Sequence, residues 1–228
     1  MNKGLSLIEL MLSLSIASVL IFSVYTFTSV SAQVYSNKRQ DWYCMQSIRN
    51  TIVNLDRDLA QCAYLLPQDM KIALGKNQLF IAGLPVTTKH AGLCLQKNNV
   101  PPFYSITQVA SAKKIVVDTV DIDQNGVPDF WADLGIISDN GPAVISHNYS
   151  RGQASIPLRS TSALCAGDRV VPAIVYELKT GGLYRNSQLL AEAITSFDAR
   201  IENDFLFIQI QAGYNGTQKE FCYPYAIN

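Results

Sequence analysis

Hydrophobic and polar positions divide the chain into three stretches. From Leu5 to Val30 nearly every residue is apolar or small, and Glu9 is the single charge. As a helix rising about 1.5 Å per residue, that stretch spans roughly 39 Å, enough to cross a hydrocarbon core of about 30 Å with some tilt. From Met45 to Cys62 the pattern changes. Met45, Ile48, Ile52, Leu55, Leu59 and Cys62 recur at steps of three and four, while Arg49, Asn50, Asn54, Asp56, Arg57, Asp58 and Gln61 fall largely elsewhere. That period marks one face of an amphipathic helix. No Gly or Pro interrupts residues 5–66, so the spacing predicts one continuous helix from Leu5 to about Leu65, roughly 90 Å long. Its striped face is expected to lie under the protein's own head.

Past Pro67 the chain turns strand-like and rich in turns. QLFIAGL (78–84), SITQVA (105–110), KIVVDTV (114–120), LGIIS (134–138) and AVISH (143–147) read as short strands. From Arg169 onward the signal strengthens: VVPAIVYEL, the turn KTGG, LYRN, LLAEAITSFDARIEND, FLFIQIQA, a turn at GYNG, and QKEFCYPYAI. Alternation in 205–212 and the Gly181-Gly182 turn predict an antiparallel meander. The expected fold is α+β: one head domain whose sheet lies over the outer half of the first helix.

Composition narrows the function. Lys and Arg total 18, and so do Asp and Glu, so no electrostatic footprint for nucleic acid exists. His90 and His147 lie far apart without ligand-spaced neighbours and are read as ordinary loop or strand positions. No nucleophile elbow, zinc-protease helix or phosphate loop occurs. Asp56 and Asp58 diverge by about 200° on a helix, which suits a solvated face better than an acid–base pair. The expectation is that the chain is not an enzyme.

Five cysteines, Cys44, Cys62, Cys94, Cys165 and Cys222, are spread without a CxxC pair, a distribution that fits disulfides in an oxidising compartment. Cys44 and Cys62 are about 27 Å apart along a helix and do not bridge each other. Cys62, on the striped face, is expected to meet a head cysteine. Pairing Cys62–Cys94 and Cys165–Cys222, with Cys44 left over, is one of several two-bridge choices.

The sharpest chemical motif is DIDQNGVPDFWAD (121–133). Asp121, Asp123, Asn125, Gly126 and Asp129 take positions one, three, five, six and nine of an EF-hand-style loop, with Val127 supplying a carbonyl. Calcium wants about six to eight oxygens, which short side chains around a tight turn supply, and Gly permits the turn. Ala132 stands where the bidentate Glu belongs, and Asp133 or Asp118 is the available substitute. The flanking residues look closer to calcium repeats of extracellular bacterial and thrombospondin-like proteins than to a helix-loop-helix pair. The competing reading is a metal-free acidic turn.

Glu9 sorts the readings of the N-terminal stretch. A secretory signal peptide has a shorter apolar run, and a plain anchor accounts for the length but not for a carboxylate costing on the order of 3 kcal/mol in a spanning helix. Gly4 followed by Leu-Ser-Leu-Ile-Glu resembles the processing site of type IV prepilins. The resemblance implies a leader of residues 1–4, cleavage between Gly4 and Leu5 by prepilin peptidase, and N-methylation of Leu5. It also implies that Glu9 offsets the amine of a neighbouring subunit in a filament. A carboxylate paired with an ammonium in low dielectric is tolerated and selects register. Thr26 stands where many major pilins carry a kinking Pro, so a straight helix is expected there.

Two further segments extend the resemblance. IVYELKTGGLYRNSQLLAEAITSF (174–197) looks like the late hairpin of the PilW/PulJ group of minor pilins and pseudopilins, and LDRDLAQCAYL (55–65) resembles the end of that group's first helix. Tyr184 and Arg185 in that hairpin are read as packing and an exposed charge. The resemblance implies a lollipop: residues 5–30 in membrane or filament core, 31–66 as the amphipathic continuation, and 67–228 as a β-rich head. It further implies a bacterial inner-membrane subunit with a cytoplasmic N-terminus and periplasmic head, later incorporated at a pilus tip. Its partners are then other minor pilins, the major pilin and the inner-membrane assembly platform. A type II secretion pseudopilin is the alternative on the same fold, and a membrane-tethered calcium-binding adhesin the alternative of another class.

Overall fold

A computed structural model of the 228-residue chain describes residues 7–62, 66–83, 103–122, 126–159, 164–214 and 216–227. One helix, α1 (Leu7–Ala60), runs 54 residues without a break, about 81 Å. Thr26 does not interrupt it: its hydroxyl bonds back to the Phe22 carbonyl one turn earlier. A 3-10 turn at Gln68–Met70 then leads, among the described residues, into thirteen strands.

The centre of the head is β8 (Arg169–Lys179), long and largely buried. On one edge it pairs with β2 (Gln78–Ala82), which carries β1 (Ile72–Gly75) beyond it, and with β3 (Tyr104–Ser111). On the other edge it pairs with β5 (Gly135–Ser138) and β9 (Gly182–Arg185). β4 (Lys114–Val117) and β7 (Ser155–Pro157) extend from β3, β6 (Gly141–Val144) from β5, and β10 (Gln188–Ala191) from β9. Every pairing is antiparallel. The β8–β9 turn needs glycine. Gly182 sits at φ +138, and a Cβ there would come 2.2 Å from the Ala191 carbonyl oxygen.

The expected single sheet is two. β11 (Ile194–Glu202), β12 (Phe205–Tyr214) and β13 (Thr217–Ala226) form a separate three-stranded meander, and this smaller sheet makes most of the helix contact. Strict alternation in β12 explains it: Leu206, Ile208, Ile210 and Ala212 are buried, and their neighbours face outward. A long meander cannot stay coplanar with β8 and also wrap a helix, because sheets twist.

The buried stripe of α1 differs in phase from the expectation. Met45 is 55% exposed, whereas Cys44, Ser47, Ile48, Thr51, Leu55, Asp58 and Leu59 are buried. Thr51 tolerates burial because its hydroxyl donates to the Ser47 carbonyl at 2.9 Å. Ile52 and Cys62 pack at the margin of the same cluster, with Tyr176, Leu183, Phe197 and Ile208 opposite. A second cluster, around Tyr104, Ile115, Phe130 and Ile156, lies in the far part of the head. A third, around Met70, Phe80 and Val171, also forms within the head.

Candidate functional site

The first candidate is the unburied half of α1. From Leu7 to Val34 its large apolar side chains, among them Leu10, Leu14, Leu20 and Phe27, stand more than two-fifths exposed. An eighteen-residue window there has a mean hydropathy of 2.3, with none of it buried. Its hydroxyls are turned inward. Ser13, Ser15, Ser18, Ser23 and Thr28 donate to carbonyls three or four residues earlier at 2.8–2.9 Å. The helix therefore presents mostly hydrocarbon around its circumference, as a spanning segment does. Glu9 lies exposed in its first turn. Gly4 and Leu5 fall outside the described residues.

The second feature couples helix to head. The Asp58 side chain is fully buried. Its Oδ2 accepts the Tyr176 hydroxyl at 2.6 Å and Arg185 Nε at 2.6 Å, and its Oδ1 accepts Arg185 Nη2 at 2.9 Å. Two corrections follow. Asp58 is not on a solvated face, and Arg185 is not a free surface charge: the guanidinium fork reaches across from β9 to satisfy both carboxylate oxygens. A bidentate Arg–carboxylate pair is the geometry that makes a buried acid tolerable. Burial opposes the Arg185 charge, yet Asp58 raises its pKa above the usual arginine value. Burial, and then the Asp58 charge, push the Tyr176 phenol upward too. A signal existed in the sequence: Cys44, Ile48, Thr51, Leu55, Asp58 and Cys62 are spaced as regularly as the stripe that counts only apolar residues.

Other helix acids are tied to the small sheet. Asp56 accepts the Tyr223 hydroxyl, Asp41 pairs with Lys219 at 3.1 Å, and the Leu59 carbonyl accepts Tyr225 at 3.2 Å. Tyr43 donates to Glu192 at 3.2 Å and lies against Tyr214 with the rings tilted by 39°, centroids 5.2 Å apart.

The acidic loop is the third candidate. Asp121 Oδ2 accepts the Gly126 amide at 2.7 Å, which closes position one onto position six, and Gly126 adopts φ +82. Asp129 is 2% exposed and accepts the Ile122 amide at 3.0 Å and the Tyr104 hydroxyl. Asp133, at φ +68, pairs with Arg159 and with His147 Nδ1 at 2.8 Å. Asp118 Oδ1 accepts the Ser105 amide at 3.1 Å and the Thr119 amide at 2.9 Å. Both substitutes for the missing twelfth ligand thus have protein partners. Asp123 and Asn125 lie outside the described residues, and Val127 is 44% exposed. Among the described residues no group of three or more His, Cys, Asp or Glu converges as a metal site.

Cysteine pairing needs correction. Cys222 is free and exposed, so the expected bridge between it and Cys165 is not formed. Cys222 belongs to β13 of the small sheet, whereas Cys165 precedes β8 of the large one. Cys62 is free and donates its thiol to the Lys71 carbonyl at 3.2 Å; burial pushes its pKa up to about 12. Its expected partner Cys94 lies outside the described residues, as does His90. Cys44 is free and buried.

No protein-family model, curated protein or solved structure matches the chain.

Proposed function

We propose that this chain is a minor pilin of the PilW/PulJ type. The observation that carries the reading is a helix half that is mostly hydrocarbon around its circumference, bears one carboxylate at Glu9, and continues unbroken into a head-bound half. A membrane anchor needs the hydrocarbon but not the acid. An assembly uses both, because an ammonium brought by a neighbouring helix offsets the cost of the carboxylate and sets the axial register. In this reading the chain is cut after Gly4 and methylated on Leu5. It waits in the inner membrane with its head in the periplasm, then joins other minor pilins to start or cap a type IV pilus beneath which the major pilin adds. Its role is assembly, not turnover.

Glu9→Ala is the direct test. The expected result is loss of this subunit from sheared filaments, or loss of piliation, with membrane insertion intact. Unchanged recruitment sinks the filament reading and leaves a tethered domain. Mass spectrometry of the mature N-terminus is the companion measurement, and methyl-Leu5 is the expected species. A type II secretion pseudopilin remains the second reading on the same helix, separated by whether deletion abolishes pili or secretion.

Calcium belongs to the proposal as a clip on residues 121–133. The Asp121–Gly126 closure and the left-handed Gly126 are the turn that an EF-hand-style loop requires. Titration of the full chain in detergent with calcium, compared with Asp121→Ala, tests it: the expected result is a calcium-dependent rise in melting temperature that the variant lacks.

A further inference from the structure

A polar cleft of about 280 Å³ lies between α1 and β10, at the junction of helix and head. Tyr43, Gln46, Ser47 and Asn50 recur at steps of three and four, so they share the helix face that forms one wall. Leu189 and Glu192 belong to the other. β10 pairs with β9 alone, through a two-residue turn whose Asn186 and Ser187 both take positive φ. In such a hairpin Gln188 turns its backbone groups toward β9, and Leu189 leaves its own on the free edge along the cleft. The Tyr43 hydroxyl donates to Glu192 Oε2 at 3.2 Å, which holds that carboxylate at the rim. At the floor is Ser47, 7% exposed. α1 buries two hydroxyls, and they behave differently. Thr51 donates to its own helix, whereas the Ser47 hydroxyl has no hydrogen bond among the described residues. A hydroxyl buried to that degree costs free energy unless a partner enters the cleft and bonds it.

We propose that this cleft binds one neutral pyranose ring of a glycan. Its lining has one carboxylate and no cation, so it repels phosphates, uronates and sialic acids. The deepest group is a neutral hydroxyl that both donates and accepts, and the amides of Gln46 and Asn50 do the same. A ring of vicinal hydroxyls matches that mixture, because each of its groups also donates and accepts. An ammonium supplies donors only, and its natural partner, Glu192, stands at the rim already engaged by Tyr43. The Leu189 side chain, 46% exposed, and the Tyr43 ring offer the apolar surface on which the C–H face of a sugar rests. The volume admits one ring and falls short of the roughly 300–1,000 Å³ that drug-sized ligands occupy. Ser47 lies about 20 Å beyond Val34 along the axis, past a headgroup layer of about 5–8 Å. With the apolar half of α1 in a bilayer, the ring therefore belongs to a glycan outside it and not to a lipid headgroup. The site goes beyond the filament reading and is independent of it, since a single chain carries every residue of the cleft.

The test titrates the full chain, in the sugar-free detergent dodecylphosphocholine, with glucose, galactose, mannose and N-acetylglucosamine. Saturation-transfer NMR reads the binding, and at least one of the four should bind in the millimolar range. Asn50→Trp, at an exposed position, should fill the cleft and abolish the signal. Ser47→Ala should weaken binding by about two- to tenfold, the worth of one hydrogen bond, with a melting temperature no lower than the parent's. The melting curve separates the roles, because a structural serine would lower it and an unpartnered one does not. Failure of all four sugars overturns the proposal. Undiminished binding by Asn50→Trp or by Ser47→Ala does so too. So does tighter binding of N-acetylneuraminic acid or of N-acetyl-lysine methylamide than of any neutral sugar. Glu9→Ala keeps the two readings apart: its recruitment decides the filament, and its sugar binding in detergent should equal the parent's.

Discussion

The two halves of α1 share one backbone geometry and differ in everything else. The inner half, to about Val34, is mostly apolar around its circumference, and its most apolar eighteen residues bury nothing in the protein. The outer half buries a narrow stripe in which Ser47, Thr51 and Asp58 alternate with Cys44, Ile48, Leu55 and Leu59. The first pattern is the one a hydrocarbon solvent would select, since every polar group must there be satisfied within the segment. The second is selected by specific partners, which reward a buried polar group when its geometry is complete. The comparison teaches that hydrophobicity alone locates a helix long and apolar enough to span a membrane but not a docking face.

The largest expected effect breaks the polar stripe. Asp58→Ala strands the Arg185 guanidinium and should cost about 3–5 kcal/mol of head stability, measured by denaturant unfolding of the full chain in detergent. Replacing both Asp58 and Arg185 with Leu should recover most of that loss. Next, Leu55→Ala, at a fully buried position, should cost about 2–5 kcal/mol through lost burial and a cavity. Leu20→Ala, 61% exposed on the inner half, should leave head unfolding within about 0.5 kcal/mol of the parent. A comparable loss at Leu20 would erase the distinction between the halves.

Thiol chemistry sharpens the boundary. In the native chain Cys222 should alkylate at least about tenfold faster than Cys44 and Cys62, followed by peptide mass spectrometry. Cys44 and Cys62 are shielded, and burial lifts the pKa of both. The smallest effect concerns pH. Burial and the bond to Asp56 push the Tyr223 phenol up to about 12, above an unfolded value near about 10. The stability it contributes is full below about pH 10 and is lost as pH rises toward 12. The melting temperature should therefore fall more steeply across that window in the parent than in Tyr223→Phe.

Much of the architecture was legible from residue order. The continuous helix, the membrane-length apolar run, the Gly181-Gly182 hairpin and the meander from 169 onward are local patterns, and local patterns follow from backbone chemistry. The phase of the buried stripe was not legible. Met45 is more hydrophobic than Thr51 or Asp58, so a count of apolar positions misplaced Met45 and missed Thr51 and Asp58, while Ile48, Leu55 and Leu59 are buried where that count put them. The split into two sheets was hidden as well, because strand periodicity says which residues alternate but not which sheet a strand joins. In the acidic loop the turn at Gly126 was readable. The engagement of Asp133 by Arg159 and His147 was not.

What the sequence determined by itself is whatever depends on neighbours a few residues apart: the length of α1, the place of Glu9 in its first turn, the alternation of β12 and the glycine turns. Tertiary structure decided which acids face inward. Asp58 meets Tyr176 and Arg185 from 118 and 127 residues away, and Asp56 meets Tyr223 from 167. Contacts over such separations leave no period in the chain. They exist only once two sheets have closed around the helix, and that closure leaves the cations of α1 on the outside.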